Sequence, residues 1–270
     1  MGLQDIFVIS PGTRKLLLIT SSVAVVAVLF AIFHYRGINR SEDPRVAHAR
    51  QLMSEYERLS GGTGSYDFFY LLDSAEAIYE RIPGYDRSFE RGVIFNNRCS
   101  GLLVMAIYDS LLNDSLRRSL IDLSMSWCDS SIAIYNAWKN EWGRLTEEEL
   151  RQKLGITMHA DDPAFQGHKF RRIFEKRVED IILAQLETDR RLSVSYTNKA
   201  TAFRHLMMQD SALHYYQEAL ALWSHNRTAE SNLSVLMGGD PVKPGIIESL
   251  FPPDRKKRTV SPDNPGGHPK

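Results

Sequence analysis

The sequence predicts an all-α protein, with a single N-terminal transmembrane helix followed by an α-solenoid of antiparallel helix pairs. Three observations lead to that class. Residues 16–33 carry no charged side chain. Across residues 45–251, apolar side chains recur at helical intervals, as on helices buried along one face. Within residues 196–236 two such stripes stand back to back: Tyr196, Ala200, Phe203 and Met207, then Ala212, Tyr216, Ala219 and Trp223. Small and large residues alternate in both, which lets two helix axes approach while the rings fill the gaps beside them.

Bulk properties narrow the function classes. The 270 residues are 43% hydrophobic, enough for a real core. Lys plus Arg number 33 and Asp plus Glu number 33, so the chain lacks the basic excess of a nucleic-acid binder. Cys99 and Cys128, the two cysteines, offer neither a disulfide framework nor zinc-ligand spacing. They read either as buried free thiols or, in an oxidising compartment, as a single bridge.

Taken in order, residues 1–13 form a tail broken by Pro11-Gly12, and residues 14–35 the membrane helix. Extended to Tyr35, the apolar run reaches roughly 30 Å as a helix, the depth of a bilayer core. A cleaved signal sequence would have an apolar run of about 7–15 residues ending small-x-small. This run is longer and ends Phe30-Ala31-Ile32-Phe33-His34-Tyr35, so an uncleaved anchor is expected. Arg36, Arg40, Arg45 and Arg50 follow the span, against Arg14 and Lys15 before it, and a literal count would keep the C-terminal body in the cytoplasm. Short basic N-terminal tails commonly stay inside, however, and long domains translocate largely regardless of charge. The expectation is a single-pass protein with an extracytoplasmic body, periplasmic in a bacterium.

Residues 36–44 read as a polar linker and residues 45–251 as the helical domain. A helix over 45–59 ends at the glycine run 61–64, a turn rather than a phosphate loop because no Lys follows at the required place. The next helix, 66–81, turns Phe69, Leu72, Ala75 and Tyr79 inward and stops at Pro83-Gly84. Helices over 88–111 and 116–142 are separated by Asn113-Asp114, the second with Leu120, Leu123, Trp127, Ile134 and Trp138 on related faces. Thr146 and Glu149 have capping-box spacing. Residues 155–167 form a loop. Residues 168–208 are helical in pattern and either break near Ser193-Val194-Ser195 or make one long spine. Their charges, Arg177 among them, read as a solvated face. Asp210 is the expected cap of the following helix, and a further helix starts near Thr228 with Leu233 inward. An apolar piece at 246–251 can dock on the last helix, whereas the tail 252–270 is too polar to bury a core.

Ala200, Phe203, Ala212, Tyr216 and Ala219, with Asn232-Leu233 opening the next helix, resemble the tetratricopeptide repeat. The fragments 75–79 and 131–135 are similar to the second helix of the same motif. Lys199 stands where the family usually has Leu, and Ser224 where it often has Pro. The resemblance implies protein–protein interaction: a scaffold in the assembly or stability of a membrane-associated complex, working by binding rather than catalysis and without a cofactor. In that family the first helix of each pair lines the concave surface, which points to Thr197, Thr201, Arg204 and His205 as partner contacts. Arg204 can grip a carboxylate through two parallel hydrogen bonds. The expected partners are proteins on the repeat surface and the bilayer around residues 16–35, with no nucleic acid. Two alternatives stand beside this reading: a structural subunit packed permanently in a larger membrane machine, and a metal-dependent enzyme using His159, Asp161 and Asp162.

Overall fold

The computed structural model describes residues 20–21, 41–60 and 68–242, and among these the chain is all-α without a strand. Within residues 41–60 and 68–242 eight α-helices follow one another: α1 (Ala47–Ser60), α2 (Phe69–Arg81), α3 (Phe89–Tyr108), α4 (Asp114–Trp142), α5 (Glu147–Leu154), α6 (Phe170–His205), α7 (Gln209–Leu222) and α8 (Arg227–Leu236). A short 3-10 turn, Pro163–Phe165, lies between α5 and α6. The predicted membrane helix 14–35 lies outside the described residues except for Thr20 and Ser21, as do residues 61–67, the 246–251 piece and the 252–270 tail. Among the described residues no helix is long and apolar enough to cross a membrane.

Helix starts follow local rules. The Asn113 side chain accepts the Leu116 N–H and caps α4. Thr146 and Glu149 complete both halves of the expected capping box on α5. The linker reading of 36–44 needs correction at its end. Asp43 is buried, accepts from Tyr85 Oη at 3.1 Å and pairs with Arg45 at 2.8 Å, so the chain is already docked before α1 begins.

α3 and α4 pack as a close pair. A Cβ on Gly92 would stand 2.5 Å from Tyr135 Cε1, so only glycine admits the ring there. Ser124 Oγ donates to Cys99 O at 2.8 Å and Ser131 Oγ to Gly92 O at 2.9 Å. The bridge left open by the sequence is formed: Cys99 and Cys128 are a fully buried disulfide across this pair, with Cα atoms 5.2 Å apart. The buried stripe of α4 is Ile121, Ser124, Cys128, Ser131, Tyr135, Trp138 and Trp142. It shares Trp138 with the predicted stripe and otherwise lies beside it, and Leu123 is exposed. Small hydroxyl residues own the seam because they allow close approach and bond the facing carbonyls, which a search for large apolar residues overlooks.

α6 is one unbroken spine of 36 residues, about 54 Å long at 1.5 Å per residue. Ser193, Ser195 and Thr197 do not break it because each hydroxyl has an acceptor. Thr197 Oγ1 donates to Ser193 O at 2.8 Å, Ser193 Oγ to Ala219 O at 2.6 Å, and Ser195 Oγ to Asn96 Oδ1 at 3.0 Å. The first half of α6 packs Ile173, Val178 and Ile181 against Trp138, Trp142 and Leu150. The second half packs Ala200 against Ala212, Tyr216, Ala219 and Ala229. Arg177 corrects the solvated-face reading: it is buried and paired with Glu90 of α3 at 2.5 Å.

The break between α6 and α7 also differs from expectation. Met207 N–H donates to Arg204 O at 3.1 Å and Met208 N–H to Phe203 O at 2.9 Å, the paired closing bonds of a Schellman motif. Its left-handed position is Met207, at φ 62°. Met207 therefore leaves the inner stripe and exposes 77% of its surface. Asp210 is not a cap; α7 begins at Gln209 after Met208, and Asp210 sits in its first turn, where a carboxylate favours the helix dipole.

Candidate functional site

The four residues expected to face a partner divide into two sets. Thr197 is buried at 3% exposure, and its Oγ1 accepts from Asn226 Nδ2 at 2.9 Å. Asn226 also donates to Ser193 Oγ at 2.8 Å, and its Oδ1 accepts the Ala229 N–H at 3.1 Å, capping α8. Thr201 is half-buried. Its Oγ1 donates to Thr197 O at 2.9 Å and lies 3.0 Å from the Tyr216 hydroxyl. These two threonines bolt α7 and α8 onto the spine. A helical wheel places them off the apolar stripe, but α8 covers that flank, so Thr197 is withdrawn from any partner.

Arg204 and His205 lie in the last turn of α6, where cations suit the helix dipole. Partial burial of the His205 imidazole, together with the Arg204 and Arg117 guanidiniums, pulls its pKa below the usual histidine value and favours the neutral ring. Arg117 reaches back from α4 to close the end of α3, donating to Ala106 O and, at 3.0 Å, to Asp109 O. Beneath this end lies a small apolar cluster of Leu103, Ala106, Ile121 and Ala202, with Leu206 against it. Around it the chain exposes Tyr108, Leu111, Leu116, Met207 and Met208. The end where α3, α4 and α6 finish or start is thus an apolar rim with the Arg117 and Arg204 guanidiniums and the His205 ring beside it. Of this end, sequence reasoning had singled out Arg204 and His205 and had not singled out Tyr108, Leu111 or Met208; the absence of Gly at the α6–α7 turn was the available signal.

The opposite end is polar. Arg177 lies over the Tyr85 ring at 4.1 Å and pairs with Glu90. Burial alone would raise the Glu90 carboxyl, but Arg177 and then Arg50 outweigh it and hold the pKa below the ordinary carboxylate value. Arg50 pairs with Asp180 at 2.9 Å, tying α1 to α6. Arg45 stacks over Phe165 at 4.8 Å and faces Asp162 at 3.5 Å. A cleft of about 270 Å³ opens here between α1, α3, α4 and α6, lined by Arg50, Phe89, Glu90, Trp138, Arg177 and Arg191 among others.

The acidic loop has structural duties. His159 Nε2 lies 3.0 Å from Ile156 O, and Asp162 accepts the Ala164 N–H at 2.9 Å to open the 3-10 turn. Among the described residues no three His, Cys, Asp or Glu side chains converge on a point that could hold a metal. Comparison with protein-family descriptions, with curated proteins and with solved structures yields no match.

Proposed function

We propose that this chain is a membrane-anchored scaffold of tetratricopeptide type. It holds a protein partner of a membrane-associated complex against the rim of Tyr108, Leu111, Arg204, His205, Met207 and Met208. The observation that carries this reading is Met207. A side chain at positive φ is unfavourable, and a helix-closing turn of this kind normally takes glycine. Here the position holds a methionine with 77% of its surface exposed. It is in none of the buried clusters of the fold. An exposed, adaptable apolar residue kept at a strained position fits a contact surface. Exposed Tyr108 and Leu111 at the same end extend it.

The anchor rests on the uncharged run 16–33. The full chain should stay in membranes through an alkaline carbonate wash, whereas a chain beginning at Ser41 should be soluble. The buried Cys99–Cys128 bridge supports an extracytoplasmic body, because such bridges persist in oxidising compartments.

Photo-crosslinking in native membranes tests the binding surface. A photoreactive residue at Met207 should capture one discrete protein, and Arg204→Glu should abolish that capture. The same group at exposed Arg171, at the other end of α6, should capture none. Equal labelling from both positions would remove the rim from consideration. The exposure of Leu111, at 93%, also suits a permanently packed subunit. In that case the captured protein would stay bound in fixed stoichiometry throughout purification.

A further inference from the structure

The cleft at the polar end contains valences that the fold leaves unused. Arg177 engages Glu90 through Oε1 only. Glu90 Oε2 is buried without a partner, and so is Arg191 Nε. Both residues line the cleft. Tyr135, wholly buried against Phe89, has a hydroxyl that is also unpartnered. Among the described residues Arg191 pairs with no carboxylate, although Asp180 and Glu187 line the same cleft. Asp180 is held by Arg50 and Lys176, and Glu187 by Arg190. Buried polar atoms in folded proteins are normally satisfied, and an orphaned donor and orphaned acceptor beside one opening mark a site for something else.

The lining identifies the class of occupant. Three cations (Arg50, Arg177, Arg191) face three carboxylates (Glu90, Asp180, Glu187), so the cleft carries no net charge and does not select a net anion or cation. What remains free is one cationic donor and one carboxylate oxygen. The same lining carries an apolar wall of Phe89 and Trp138, packed edge to face at 5.6 Å, with Ile181 and Ala184. The volume of about 270 Å³ suits a molecule of amino-acid size and falls just below the usual range for ligand sites, about 300–1,000 Å³.

We infer that this cleft binds a small zwitterion with an apolar body, of the amino-acid class, its carboxylate on Arg191 and its ammonium on Glu90. The free donor and the free acceptor are complementary to its two charges, and the rings of Phe89 and Trp138 take the body. This site is separate from the partner rim and does not depend on it.

Thermal melts of the full chain in detergent test it, with L-phenylalanine as the probe and phenylpropionate and phenethylamine as single-charge controls. The melting temperature should rise saturably with phenylalanine, and each control should bind at least about tenfold more weakly, the loss of one charge-assisted contact. Arg191→Gln breaks no existing ion pair, so it should leave the unliganded melt unchanged and weaken phenylalanine about tenfold. It should also make phenylalanine no better than phenethylamine. Should that variant fail to fold, Arg191→Lys retains a cation while removing the Nε donor and is expected to weaken phenylalanine by a similar factor. No saturable shift in the unaltered chain would mean that ordered water alone satisfies Glu90 and Arg191, and would overturn the inference. Full phenylalanine binding by either folded variant, or controls as effective as the zwitterion, would overturn it equally.

Discussion

The two halves of α6 are buried by opposite means. From Ile173 to Ala184 the spine packs large apolar side chains and carries one buried ion pair, Arg177 with Glu90. From Ser193 to Ala202 its buried face is serine, threonine and alanine, joined to its neighbours by hydroxyl and amide hydrogen bonds. The first arrangement tolerates spacing between helices because side chains fill it. The second works only at short range, where hydroxyls reach facing carbonyls and alanines line the seam beside the Tyr216 ring. One helix can therefore join a thick, charged module at one end to a thin, tightly keyed hairpin at the other.

The largest expected effect breaks the first half. Glu90→Ala strands the Arg177 guanidinium in the interior and should cost about 3–5 kcal/mol. Replacing both partners, Glu90→Leu with Arg177→Met, should restore most of that loss, because the desolvation cost goes with the charges. Chemical denaturation of the single and double variants measures this. The pair also predicts acid sensitivity. The folded Glu90 carboxyl lies below its ordinary value of 4.5. As pH falls, the unfolded chain therefore binds the proton first. The stabilisation is complete above about pH 4.5 and is lost as pH falls through that value and the lower folded one. The double variant should lose this part of the acid dependence.

The second half should respond to volume rather than charge. Ala219 is fully buried between the spine and α8, and its carbonyl accepts from Ser193. Ala219→Leu should overpack the seam and cost about 1–3 kcal/mol, read as a lower melting temperature. An unchanged melt would mean that the hairpin has slack the packing does not suggest.

Removing the amide key should have a smaller effect in the same region. Asn226→Ala deletes the α8 cap together with both bonds into α6. A loss of about 0.5–2 kcal/mol is expected. Amide exchange should quicken in α8 while the α3–α4 pair stays protected. Uniform exchange across the chain would show that the two halves unfold as one unit.

The same contrast explains how much of the molecule was legible in its sequence. Helix positions followed from period and punctuation, and the Thr146–Glu149 box and the Ala212–Tyr216–Ala219 face appeared where their spacing put them. Large apolar residues are easy to count, so the inward positions Leu72, Ala75 and Tyr79 of α2 were also readable. Burial by small polar residues was not. Ser124, Ser131, Ser193 and Thr197 look solvent-facing until a carbonyl stands opposite them, and that carbonyl comes from a segment 25 or more residues away for Ser124, Ser131 and Ser193. Arg177 and Glu90 were hidden for the same reason: 87 residues separate them, and local charge patterning suggested nearer partners. At the proposed rim, the sequence singled out Arg204 and His205 but placed Met207 on the inner stripe, because a left-handed methionine breaks the rule from which turns are predicted.

That exception provides the finest test of the difference between the two ends. Met207→Gly relieves the left-handed backbone strain, partly offset by the greater freedom of glycine in the unfolded chain. The closing bonds to Phe203 and Arg204 use backbone atoms alone, so they survive the change. Stability should rise by about 0.5–1 kcal/mol. Crosslinking from a neighbouring rim position, Met208, should nevertheless fall, because the exposed side chain is lost. A mutation that strengthens the fold while weakening partner capture would separate the two roles of the turn. A destabilised Met207→Gly would show that the side chain packs after all, and would deprive the rim of its strongest argument. A stabilised variant with undiminished crosslinking would leave the strain unexplained and move the contact surface toward Tyr108 and Leu111.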